Sequence, residues 1–170
     1  VHYTLFVMLA LVAWSLANGL LPNEFPGWST GTYWATGLLA GLLLFASVLV
    51  HELAHSLVAR SRGIQVEGIT LFLLGGVSNL KSESGKARDE FVISAVGPLT
   101  SLVLAFAFGL ILLGLRDDSA RGVSGVWFLA RLNVTNAPVA ALVWYLALIN
   151  LLLAGFNLLP AFPLDGGRVL

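Results

Sequence analysis

The sequence predicts an all-α integral membrane protein with four transmembrane helices and a short β-hairpin or re-entrant segment between the second and third. Three observations carry that prediction. Of 170 residues, 58% are hydrophobic and 11% charged, with a mean hydropathy of +0.90, whereas soluble domains carry about 25% charged residues. Four stretches stay apolar for the roughly 20 residues that a helix needs to cross a hydrocarbon core about 30 Å thick. Between the second and third, Gly63 breaks the helical pattern, and Val66, Ile69, Thr70 and Phe72 favour extended chain.

The first span, Tyr3 to Leu21, is N-terminal and hydrophobic, as a signal peptide would be. It has no basic flank, carries Trp14 in mid-run and leads into Pro22-Asn23 rather than a small-residue cleavage site, so a retained span is expected. The second runs from Trp34 to Ala59. Gln65 to Ser78 follows, with Gly75-Gly76 read as a tight turn; an ordinary cytosolic loop is the plainer alternative, against which the apolar run Ile69 to Leu74 argues. If strands form there, an exposed edge could hold an extended substrate segment by backbone pairing. The third span, Phe91 to Leu115, carries Gly97, Ser101, Ala105 and Gly109 at four-residue spacing, a small-residue stripe assigned to helix packing. Pro98 is placed near its start, where a missing N–H is tolerated. The fourth span runs from Pro138 to about Leu159, where Pro160 and Pro163 interrupt it. Residues 1–170 are read as one membrane-embedded domain, trimmed at both ends, since the chain starts at Val1 and stops two residues after Arg168.

Charge orients the spans. The first loop, Pro22 to Tyr33, has no Lys or Arg, whereas the second holds Arg60, Arg62, Lys81, Lys86 and Arg88; the third has Arg116, Arg121 and Arg131, partly countered by Asp117 and Asp118. The positive-inside rule puts the second loop and both termini in the cytoplasm. Trp28, Tyr33, Trp34 and Trp127 suit an aromatic belt at the opposite interface. With nine basic and nine acidic residues, no basic patch points to nucleic acid. Cysteine is absent, so any metal must be held by nitrogen and oxygen.

Near the inner end of the second span lies His51-Glu52-Leu53-Ala54-His55. Imidazoles four apart share one helix face, where they can bind one Zn²⁺ while the carboxylate between them handles a water proton. The plainer alternative is two separate core imidazoles with Glu52 paired elsewhere. Each polar group buried in a span costs about 2–3 kcal/mol without a partner, and three cluster within two turns, which favours the metal site. His2, near the interface, is read as solvated. The motif implies metal-dependent hydrolysis, and its apolar setting places that chemistry inside a membrane; hydropathy excludes a water-soluble peptidase.

Past the fourth span, Asp165 ends an apolar run and needs a cation, a metal or solvent. It could reach water or pair with Arg168. With His51 and His55 present and no other acidic residue in the remaining apolar segments, the role of third ligand is favoured.

Four segments resemble the site-2 protease family of intramembrane zinc metalloproteases, in the same order along the chain: HELAHS, FLLGGVSNL, AVGPLTS and FNLLPAFPLDGGR. The resemblance covers nearly the whole chain. It implies His51, His55 and Asp165 as ligands of one Zn²⁺, Glu52 as catalytic residue and Asn157 as a polar helper. It implies a prokaryotic cell membrane, where the loop charges put the active site near the cytoplasmic face, and a membrane-anchored protein such as an anti-sigma factor as substrate. Many bacterial members carry a PDZ domain in a loop or CBS domains at the C-terminus. No loop here has room for a PDZ domain, so the chain is similar to PDZ-less members, the CBS-bearing branch among them.

A membrane metal carrier or a non-cutting helix-binding module is the competing class. A carrier needs a polar route past the metal; above the motif the second span offers only Thr36 and Ser47, and the third Thr100 and Ser101. Metal binding alone would not require Glu52.

Overall fold

The computed structural model describes residues 4–72, 75–80, 87–115, 137–159 and 165, the side chains of 67–87 and 137 excepted. Four helices are long and apolar enough to cross a membrane: α1 (Thr4–Glu24), α2 (Thr30–Ser61), α3 (Ala87–Gly114) and α4 (Ala137–Asn157). The chain is an integral membrane protein. Large apolar side chains such as Phe6, Leu57, Val103 and Phe106 cover its outer face, as a lipid solvent permits.

Helix α1 contains one π-helical stretch, Leu16–Leu20, before its last turn at Leu21–Glu24. It packs closely on α2, where a Cβ on Gly37 would stand 2.9 Å from the Ala13 carbonyl oxygen. The turn between them is built from its own side chains. Phe25 and Trp28 stack at 5.2 Å, Trp28 and Tyr33 at 5.4 Å, and the Tyr33 hydroxyl donates to the Phe25 carbonyl at 2.7 Å. Trp127, the fourth residue read into the aromatic belt, lies outside the described residues.

Helix α2 starts at Thr30, earlier than hydropathy predicts, because Ser29 caps it: the extended Ser29 accepts from the Thr32 N–H at 3.1 Å. At its far end Gly63 adopts φ +79, while the Ile64 N–H reaches the Ala59 carbonyl and the Gly63 N–H the Arg60 carbonyl, both at 3.0 Å. This closing turn satisfies carbonyls that a helix end leaves open. It also buries Ile64 against Ala59 and against Ile93 of α3.

Strands β1 (Val66–Phe72) and β2 (Gly75–Leu80) then pair antiparallel, with Phe72 opposite Gly75 and Ile69 opposite Ser78, and a register shift between Val66 and Ile69. Gly75 and Gly76 thus begin β2 rather than form the turn. The hairpin lies against α2.

Helix α3 begins at Ala87, before the apolar run. Asp89 and Glu90 in its first turn suit the positive end of the helix dipole, and Asp89 pairs with Arg62 at the end of α2. Pro98 consequently lies inside the helix, not near its start. Helix α4 packs chiefly on α3 and less extensively on α2. It ends at Asn157, and Pro160 and Pro163 lie outside the described residues. In an alternating four-span topology α2 and α4 run in the same direction, so the end of α2 and the chain beyond α4 meet at one membrane face.

Candidate metal centre

His51 and His55 stand one above the other on the buried face of α2, with Ser47 one turn before and Ala59 one turn after. Asp165 approaches from beyond α4. Its Oδ2 lies 3.1 Å from the His51 Nε2 and 3.1 Å from the His55 Nε2, and the two Nε2 atoms are 3.1 Å apart. The three atoms therefore form an almost equilateral triangle. Zinc bound to nitrogen and oxygen at about 2.0–2.1 Å in tetrahedral geometry spaces its ligands about 3.3 Å apart, so this triangle is close to one tetrahedral face.

The other ring nitrogens support the same reading. His55 Nδ1–H donates to the Ile93 carbonyl at 2.6 Å, and because a carbonyl only accepts, this contact sets the tautomer and leaves a lone pair on Nε2. His51 Nδ1 lies 2.9 Å from the Ser101 hydroxyl, which permits the same tautomer. Pro98 has no N–H to donate to the Ser94 carbonyl, one residue after the Ile93 carbonyl that serves His55. When the imidazoles carry a proton on Nε2, their hydrogen bonds and charges outweigh the upward push of burial and hold the Asp165 carboxyl at about 2, so Asp165 is then an anion at neutral pH; a cation between the three atoms takes the place of those protons. Two lone pairs and a carboxylate oxygen converging on one point fit a divalent cation, and with no sulfur among them the donor set suits zinc.

Two residues assigned from the sequence to helix packing belong to this site. A Cβ on Gly97 would stand 2.0 Å from the His55 Nε2 and 2.6 Å from the His51 Nε2, so only glycine lets α3 lie this close to both imidazoles. Ser101, fully buried, meets His51. The same stripe extends to Gly109, where a Cβ would meet nothing within 4 Å. Spacing identified the stripe but could not tell a close approach to a neighbouring helix from one to a candidate metal ligand.

Ser101→Ala should lower metal affinity about 10–100-fold, the usual cost of losing a hydrogen bond to a metal-binding histidine. Competition with a zinc chelator would measure it. Wild-type affinity would mean that Ser101 only fills space.

The remaining two candidates stand apart from the triangle. Glu52 is half-buried, one residue after His51 and three before His55, near enough for its charge to act on His55. Asn157, at the end of α4, donates its amide N–H to its own helix at the Leu153 carbonyl, 2.9 Å away.

Comparison with known proteins agrees with this geometry. Residues 39–170 match Peptidase family M50. The chain is 43% identical over 169 residues to Rip3 of Mycobacterium tuberculosis, a protein named provisionally as a zinc metalloprotease, covering 99% of this chain and 39% of that protein. Stage IV sporulation protein FB of Bacillus subtilis is 30% identical over 142 residues, covering 80% of this chain and 42% of that protein. Among solved structures, the site-2 protease from Methanocaldococcus jannaschii superposes with a TM-score of 0.60 at 30% identity, covering 98% of this chain and 62% of that one. This chain thus spans about two fifths of the length of these two curated relatives. Its apolar helices, its paired histidines and these likenesses agree: the chain belongs to Peptidase family M50, the site-2 protease family.

Proposed function

We propose that residues 1–170 form the catalytic core of an intramembrane zinc metalloprotease, which hydrolyses peptide bonds in or near the transmembrane segment of membrane-anchored regulatory proteins. The observation that carries this reading is the 3.1 Å triangle of His51 Nε2, His55 Nε2 and Asp165 Oδ2 within an apolar helical bundle. His51, His55 and Asp165 are its zinc ligands, one ion per chain.

Bound zinc supplies Lewis-acid chemistry, activating a water molecule and polarising the scissile carbonyl. The chain's own groups do the rest. The Glu52 carboxylate takes the proton from the attacking water and returns it to the leaving nitrogen. Ile93 holds His55 in its binding tautomer, and the Ser101 hydroxyl accepts from His51 in the same one. The Asn157 amide has a second N–H besides the one donated to Leu153, and that N–H donates to the developing oxyanion.

The positive charges of the loop from Arg60 to Arg88 support a site near the cytoplasmic face, in the prokaryotic cell membrane that the resemblance implies. His55 lies six residues before the end of α2, about 9 Å of helix, so water has a short path inward. A substrate helix hides its carbonyls in its own hydrogen bonds and must unwind before attack, which favours substrates with helix-breaking residues near the cleavage point. An anti-sigma factor fits the substrate class that the family implies.

Elemental analysis of the detergent-purified protein should find about one zinc per chain, lost in His55→Ala and in Asp165→Ala. A folded wild type without metal, or full zinc retention in Asp165→Ala, would overturn the ligand assignment.

A further inference from the structure

Two helices supply the ligands, and something must hold them in register. Helix α2 carries both histidines, whereas Asp165 hangs from the end of α4, which packs mainly on α3. Direct apolar packing between α4 and α2 centres on Ala40 and Ala141, in a cluster with Leu16, Leu21 and Phe25 and away from the histidines. Slipping a helix by one residue moves it about 1.5 Å and turns its face by about 100°. Metal sites tolerate ligand displacements of only about 0.2 Å.

One buried polar contact joins the two helices near the site. Ser47 lies on the histidine face of α2, four residues before His51. Asn150 of α4, fully buried, donates from Nδ2 to the Ser47 hydroxyl at 3.0 Å and to its own Leu146 carbonyl at 2.8 Å. Its Oδ1 has no partner among the described residues. An orphaned buried acceptor costs free energy, and a shape-matched apolar pair would avoid that cost. The pair is thus a poor device for stability and a good one for register, because a hydrogen bond between two short side chains tolerates neither sliding nor rotation.

We propose that the Ser47–Asn150 hydrogen bond is a positioning device that sets α4 against α2 and so delivers Asp165 to His51 and His55. This rests on the reading of those three residues as zinc ligands. Ser47 and Asn150 touch neither metal nor substrate; they act through Asp165.

The test compares zinc affinity with the thermal stability of the metal-free protein, in the intact membrane protein in detergent. Ser47→Ala and Asn150→Leu should each weaken zinc binding by about tenfold or more. The double variant should bind no more weakly than Asn150→Leu alone, since both changes remove one contact. Its metal-free Tm should match or exceed that of the wild type. In an Asp165→Ala background, neither change should alter the residual affinity of the two histidines.

Wild-type affinity in Ser47→Ala and Asn150→Leu, with zinc lost on Asp165→Ala, would overturn the positioning role and leave the metal site standing. An equal loss in the Asp165→Ala background would also overturn it, by showing that the pair acts on the histidines themselves. Zinc retained in full by Asp165→Ala would instead overturn the ligand reading. Ser47→Ala removes a single hydroxyl, so it carries the test if Asn150→Leu does not fold.

Discussion

Glu52→Gln is expected to leave about one zinc bound per chain while peptide hydrolysis falls by about 10²–10⁴-fold. Gln keeps the size and hydrogen-bonding reach of the side chain and removes only its ability to take a proton. The three proposed ligands do not include Glu52, so affinity for the metal should change little. Hydrolysis of an unfolded polypeptide in detergent, with elemental analysis of the same preparation, separates the two effects. Turnover close to that of the wild type would place the general base elsewhere. Loss of zinc along with activity would mean that Glu52 supports the site structurally.

Gly97→Ala should lower zinc affinity at least a hundredfold, through a change that deletes no ligand. The added methyl would overlap both imidazoles, at 2.0 Å from the His55 Nε2 and 2.6 Å from the His51 Nε2. Relief requires either rotating both rings or moving α3 away from α2. Either movement exceeds the roughly 0.2 Å that a metal site tolerates and disturbs the Ile93 and Ser101 contacts that orient the rings. Overpacking of this kind also costs about 1–3 kcal/mol of stability. Gly109→Ala is the matched control, from the same stripe of the same helix, with open space around the new methyl. It should bind zinc as the wild type does. If Gly97→Ala does so too, the close approach of α3 is not needed for the site.

The four spans were legible because transfer into lipid depends on composition and length, which a sequence displays directly. Their ends were less so. Hydropathy sees only the apolar part of a helix and misses the turns that extend it: α2 gains its first residues from the Ser29 cap, and α3 gains Ala87 to Glu90, a polar turn that includes the partner of Arg62. That earlier start is why Pro98 proved to be a helix-interior residue. Gly75-Gly76 looked like a turn because glycine permits one, yet cross-strand pairing places both residues in β2.

The histidine pair was legible for a different reason. Its geometry is local, since residues four apart on a helix face the same way whatever surrounds them. The sequence by itself therefore determined an apolar helical protein with His51 and His55 on one helix face as candidate metal ligands, a carboxylate beside them, and Asp165 as a candidate to join them. What only the tertiary structure decided depends on contacts between residues far apart in the chain. These include the meeting of Asp165 with histidines 110 and 114 positions away, the Ile93 carbonyl that sets the His55 tautomer, the bare Gly97 backbone against both rings, and the bond from Ser47 to Asn150. No periodicity encodes these contacts. They follow from how far each helix is turned and shifted against its neighbours, which is set by packing over the whole bundle.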